Sequence, residues 1–172
     1  MADADGARGP GALSVKSRAI VCADADLRGE VTIGTVVNAT RAPVVVGNNC
    51  IIEERATLIG SGDGLIIGDG NVFEIACRVE AVGMGNCNTV GARAVVAPGV
   101  RISNFCTVGA GMTVAVRIAA PETLPERTTT FADGQRRLWS GEGVGQQLAL
   151  HAKHLQYLRD ELPKTHKLYV VR

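Results

Sequence analysis

Residues 84–115 read MGNCNTVGARAVVAPGVRISNFCTVGAGMTVA. An aliphatic side chain returns at every sixth position: Met84, Val90, Val96, Ile102, Val108 and Val114. A small residue follows each: Gly85, Gly91, Ala97, Ser103, Gly109 and Ala115. A period of six matches neither the 3.6 of a helix nor the 2 of a long flat strand. It matches a chain wound as a three-sided coil. Each unit of six is one short strand and a corner, and three units close a turn of about 18 residues. The aliphatic side chain points into the prism. The residue two before it also points inward and must be slim. The small residue after it is expected to relieve the backbone at the corner.

The same phase runs outward from this stretch. Ile67, Phe73 and Val79 form one block, Val46, Ile52 and Leu58 another, and Val15, Val21, Leu27 and Ile33 a third. The phase slips between blocks, as it must where a corner is shortened or a loop inserted. The slim inward seats fall on Val31, Val44, Cys50, Cys77, Ala94, Val100 and Cys106. Three of the five cysteines thus read as core filler, a use that suits a small, weakly polar side chain. The expected fold is an all-β solenoid: a left-handed parallel β-helix of about six turns over residues 14–118. Left-handed crossovers are rare, so the repeat has to be this specific to carry the assignment. Both ends of such a stack are open strand edges that need a cap or a partner.

Composition agrees with a narrow core. Among 172 residues there are 21 glycines but only one Trp, two Tyr and three Phe, so the interior must be filled by small aliphatic groups. The net charge of +1 removes the main electrostatic argument for nucleic-acid or membrane-surface binding. Residues 1–116 carry 9 basic and 11 acidic side chains, a sum of −2, and residues 117–172 carry 9 and 6, a sum of +3. No apolar run approaches the roughly 20 residues of a membrane span. Residues 1–11 lack the basic start and apolar block of a secretory signal. The five cysteines form no C-x-x-C pair. A reduced, cytoplasmic protein is expected.

Beyond the coil, residues 119–145 read as an extended crossing and loop, marked by Pro121 and Pro125, with one strand possible at 128–131. Residues 146–162 read as an amphipathic helix. Leu148, Ala152, Leu155, Leu158 and Leu162 line one side, Pro163 ends it, and the stripe is expected to pack on one flat face of the coil. Residues 1–13 read as a disordered tail and 163–172 as a terminal tail.

Catalysis is hard to place on this chain. Acyltransferases of the coil class use a His base, and γ-class carbonic anhydrases hold zinc with three His. Either chemistry needs imidazole on the coil. The first His is His151, followed by His154 and His166. The opening Leu27-Arg28-Gly29-Glu30-Val31-Thr32-Ile33-Gly34 resembles that of γ-carbonic-anhydrase-like proteins. Set beside that pattern, Ile59, Asp69 and Glu74 stand where zinc-binding His would be. Catalytic, cofactor and metal residues are therefore expected to be absent. The alternative is a γ-carbonic-anhydrase-like or acyltransferase enzyme of the hexapeptide class.

Further motifs are more specific: Ile51-Ile52-Glu53-Glu54-Arg55-Ala56 and Ile66-Ile67-Gly68-Asp69-Gly70-Asn71-Val72-Phe73-Glu74-Ile75-Ala76-Cys77. With residues 27–34, Val82-Gly83-Met84-Gly85 and Arg136-Arg137, they resemble the dynactin subunit 6 family, a pointed-end branch of the hexapeptide-repeat, γ-carbonic-anhydrase-like superfamily. The resemblance covers about residues 14–162. The loop at Gly60–Gly64 is shorter than expected for animal members. The resemblance implies a non-catalytic scaffold in the cytoplasm and cytoskeleton. It would sit beside dynactin subunit 5, near subunit 4 and an actin-related protein, and would not be a homotrimer. Filament-end capping and dynein–dynactin cargo engagement would be its setting. Charged and polar residues in these motifs, expected to face outward, are the candidate partner contacts: Arg28, Glu53, Glu54, Asn71, Glu74, Arg136 and Arg137.

Overall fold

The computed structural model describes residues 13–15, 20–21, 36–38, 42–115, 122–131 and 134–165. The expectations for residues 1–12, for Arg28 and the motif around it, and for 166–172 lie outside them.

The chain winds as a parallel β-solenoid. β1 (Leu13–Val15), β2 (Ile20–Val21) and β3 (Val36–Asn38) belong to the first rung. Four complete turns follow in the unbroken stretch, fewer than the six expected, because the first rung alone takes 31 residues from Val15 to its ladder partner Val46. They are β4 (Val44–Val46), β5 (Ile51–Ile52) and β6 (Thr57–Ile59); β7 (Leu65–Ile67), β8 (Val72–Phe73) and β9 (Arg78–Val79); β10 (Gly83–Met84), β11 (Thr89–Val90) and β12 (Val95–Val96); and β13 (Val100–Ile102), β14 (Thr107–Val108) and β15 (Thr113–Val114). β16 (Glu122–Leu124) and β17 (Thr128–Thr130) add a partial rung. β18 (Arg136–Leu138) and the helix α1 (Val144–Thr165) complete the order. The strands stack into three ladders: β1-β4-β7-β10-β13-β16, β2-β5-β8-β11-β14-β17-β18, and β3-β6-β9-β12-β15. Every pairing is parallel except β17 with β18.

The sequence repeat sets the register. Met84 lies beside Ile102, Val90 beside Val108 and Val96 beside Val114. The inward aliphatics form one continuous core, and Phe73 is its largest fully buried side chain. The slim seats Val44, Cys50, Cys77, Ala94, Val100 and Cys106 are buried as expected.

Three features differ from the sequence reading. First, the coil does not stop at residue 118, because two faces continue through β16 and β17. Leu124 keeps the aliphatic seat there, but Thr130 takes the next one, so the apolar repeat fades while the winding persists. Thr130 satisfies its buried hydroxyl by donating to the Thr107 carbonyl at 3.5 Å and accepting from the Gly109 N–H at 3.3 Å.

Second, the glycines after the aliphatics do not relieve the corner. Left-handed backbone falls instead on Asn49, Arg55, Ala76, Cys87, Arg93, Phe105 and Arg127, with φ from 55° to 60°, and on other glycines such as Gly70, Gly99 and Gly111. Gly68 and Gly85 are needed for closeness. A Cβ on either would run into the next coil, against Gly85 and Asn86 or Ser103 and Asn104 respectively.

Third, α1 spans Val144–Thr165 and passes through Pro163. A proline so near the end removes one helical N–H and leaves few further turns to disrupt. The helix lies against β2. Ile51, which alternation with Ile52 turns away from the prism axis, is nevertheless fully buried. No helix among the described residues is long and apolar enough to cross a membrane.

Candidate functional site

Two corners of the coil and its interior carry polar ladders. On the first corner, each rung offers a side chain to the backbone of its neighbour. The Asp69 carboxylate accepts from the Asn48 N–H at 2.6 Å and from its side-chain amide at 3.2 Å. The Asn86 Oδ1 accepts from the Asp69 N–H, and the Asn104 Oδ1 from the Asn86 N–H, both at 2.8 Å. Asn104 in turn donates to the Glu126 carboxylate at 2.6 Å.

Asn71 and Asn88 form the interior ladder. Asn71 Nδ2 donates to the carbonyls of Gly68 and Gly85, each at 2.9 Å. Its Oδ1 accepts from both the N–H and the side-chain amide of Asn88 at 3.0 Å. Asn88 Oδ1 then accepts the Cys106 N–H at 2.8 Å. Asn71 is fully buried, which removes it from the partner-contact candidates. Its place in the motif is structural: it supplies the hydrogen bonds that an apolar side chain in this seat would leave unmade.

Glu53 and Glu74 form the second corner. Glu53 Oε2 accepts the Ile75 N–H at 3.1 Å, and Glu74 Oε2 accepts the Ala92 N–H at 2.9 Å. Both are half-buried. Partial burial pushes the Glu53 carboxyl above its ordinary range, and the Glu74 and Glu54 carboxylates push the same way. The Ile75 hydrogen bond and the nearby His154 oppose the shift. Glu54 is half-buried on the same corner. Of the three positions set against zinc-binding His, Ile59 is buried, and Asp69 and Glu74 are engaged with backbone of adjacent coils. Among the described residues no three His, Cys, Asp or Glu side chains group in a way that could hold a metal ion.

A groove of about 460 Å³ runs between α1 and the coil, lined by Asn49, Asp69, Cys87, His151 and Leu155 among others. It brings a cysteine and a histidine together, which the sequence reading had not foreseen. The pair is not set up for thiolate chemistry. A carbonyl only accepts, so His151 Nε2, 2.8 Å from the Asn49 oxygen, must carry the hydrogen. Burial and then Asp69 push the Cys87 thiol up, the reverse of an activated nucleophile.

Arg136 and Arg137 lie on β18, a strand absent from the sequence reading. The Asp133-Gly134 pair that precedes it is a recognisable hairpin signal. Arg137 is exposed and stacks over the Phe131 ring, 5.6 Å from its centroid, while Arg136 is half-buried. Trp139 braces the hairpin by donating Nε1–H to the Phe105 carbonyl at 3.2 Å.

No protein-family model matches the chain. Among curated proteins, it is 34% identical to dynactin subunit 6 of Caenorhabditis elegans, over 91% of this chain and 88% of that one. It is 31% identical to dynactin subunit 6 of Danio rerio, over 93% of this chain and 89% of that one. Among solved structures, a hexapeptide transferase family protein from Anaplasma phagocytophilum superposes with a TM-score of 0.69 at 16% identity. The match covers 87% of this chain and 92% of the other, and it is a likeness of fold alone.

Proposed function

The chain belongs to the dynactin subunit 6 family, and on that premise we propose that it is a non-catalytic structural subunit of the dynactin pointed-end complex. It pairs there with dynactin subunit 5, near subunit 4 and an actin-related protein. In that setting it supports filament-end capping and dynein–dynactin cargo engagement in the cytoplasm, on the cytoskeleton. The observation that carries the proposal is the reach of the likeness, about nine-tenths of both chains. The chemistry of the site is consistent with it. The coil carries no imidazole before His151, and the carboxylates of its corners are committed to neighbouring backbone. The remaining candidate partner contacts of the proposal are Arg28, Glu53, Glu54, Glu74, Arg136 and Arg137.

The test is light scattering on a sizing column with zinc assayed across the peak. A metal-free monomer that shifts into a 1:1 complex when dynactin subunit 5 is added is the expected result. A zinc-bearing homotrimer would overturn the proposal and return the enzyme alternative.

A further inference from the structure

The second ladder does not end where the coil ends. β18 extends it by one antiparallel strand, and no described strand lies on the outer side of β18. The hydrogen-bond register says which groups that outer edge presents. Trp139 N–H donates to the Arg127 carbonyl, and Phe131 N–H to the Gln135 carbonyl. These bonded pairs sit four residues apart on each strand, so Thr129 and Arg137 also face each other as a bonded pair. Leu138 lies between bonded positions, opposite Thr128. Its N–H and C=O therefore point away from β17, along the open edge.

The side chains around this edge combine apolar and basic groups. Leu138 is 69% exposed and Phe131 is 44% exposed, two of seven large apolar groups left in water among the described residues. Arg137, stacked on Phe131, is exposed beside them. Neither β17 nor β18 contains an acidic residue. Aromatic, leucine and arginine side chains together on a strand edge provide main-chain pairing for affinity and side-chain contacts for selectivity.

We propose that the outer edge of β18 is a strand-addition site for an extended, acidic segment of a partner protein. Charge argues for this occupant, because Arg137 is exposed and neither strand carries a carboxylate to pair with it. A symmetric antiparallel β18–β18 pair centred on Arg137 would set that arginine against its own copy, and like charges directly opposite destabilise a strand pair. A pair centred on Leu138 escapes this, and a dimer on a sizing column that Leu138→Asp abolishes would overturn the proposal in its favour. The exposed Arg137, which disfavours self-pairing in the first register, is met by a carboxylate on an incoming strand. The added strand would bond to Leu138 through its backbone, set a carboxylate near Arg137, and lay an apolar side chain against Leu138. This surface is independent of whether the complex is dynactin.

The experiment uses the full chain as bait for a random dodecapeptide library displayed on phage, with the enriched peptides then synthesised. The expected winners alternate β-branched and acidic residues. Their affinity should drop at least about tenfold against Arg137→Glu, and by a similar factor when alternate peptide amides are N-methylated. Hydrogen exchange should show the Leu138 amide protected when the peptide is bound. Enrichment of nothing above background would overturn the proposal. So would winners that bind Arg137→Glu and tolerate N-methylation undiminished. Arg137 is exposed, so its substitution leaves the fold in place to report binding.

Discussion

The coil and the helix α1 hold their places by opposite means. In the coil, successive rungs share an apolar interior, three backbone ladders and side-chain hydrogen bonds that cross from one rung to the next. In α1, Leu155 is the one side chain that is buried among those described, with Leu148, Leu150 and Tyr157 exposed. His151 adds a hydrogen bond to Asn49. A solenoid rung is stabilised by each neighbour it touches, whereas this helix rests on one buried side chain and a hydrogen bond. The two regions should therefore respond differently to the same kind of damage.

The largest effects belong in the coil interior. Phe73→Ala should cost about 3–5 kcal/mol, since a close-packed prism has little freedom to collapse around the void. Asn71→Leu should cost about as much, because it strands the carbonyls of Gly68 and Gly85 and the Asn88 amides together. Urea denaturation reads both. A loss under about 1 kcal/mol from either would break the picture of a coupled interior.

Alkaline pH probes the same interior through its thiols. Burial pushes Cys50 up to about 11 and Cys77 up to about 12 from an ordinary 9.0. The unfolded thiols lose their protons near 9 while the folded ones keep theirs. The stabilisation is thus complete below pH 9 and is lost as pH rises toward the folded values. Each of these cysteines should remove about 1.4 kcal/mol per pH unit above 9, until its folded value is reached. Comparing urea midpoints at pH 8.5 and 10.5 checks this, and Cys77→Ala should flatten the slope.

The helix should yield more gently. Leu155→Ala should release α1, seen as faster amide exchange along Val144–Thr165, while the main unfolding transition of the coil moves by less than about 1 kcal/mol. A large shift in that transition would show that helix and coil form one cooperative unit. The smallest effect is expected at the Arg78–Glu80 ion pair, 2.8 Å long with the arginine half exposed. Arg78→Ala should change stability by no more than about 0.5 kcal/mol.

The same contrast explains what the sequence could tell. Period six, written in Met84, Val90 and Val96, is a direct image of side chains pointing into a prism, so the coil was legible residue by residue. Its last rung was hidden because Thr130 fills an apolar seat by hydrogen bonding. The glycines were legible as a pattern and misassigned as a cause: Gly85 makes room for a neighbouring coil, while left-handed corners fall on residues such as Arg55, Arg93 and Phe105. Asn71 looked like a surface residue because polarity suggests exposure, although it stands two before Phe73, in the slim inward seat; what no local pattern reveals is that its amide meets carbonyls 3 and 14 residues away. The apolar stripe of α1 was visible, but how little of it the coil covers depends on tertiary placement. The Asp69 and Glu74 corners were found through the lost zinc pattern. Their attachment to the backbone of adjacent coils is a property of stacking that no single strand displays.

The ladder partners are spaced unevenly along the chain. Phe73 lies 21 residues after Ile52, Val90 lies 17 after Phe73, and Val108 lies 18 after Val90. Each turn thus has its own length of chain, yet all present the same inward seats to the turns above and below. The excess is absorbed at corners, as at Gly60–Gly64. A gene encoding such a stack can lengthen by copying one turn, since the copy meets each neighbour with the surface that neighbour already fits. Loops can also grow or shrink at a corner without disturbing the register beyond it. Descendants of one coil can therefore diverge in height and in corner decoration while their rungs remain interchangeable.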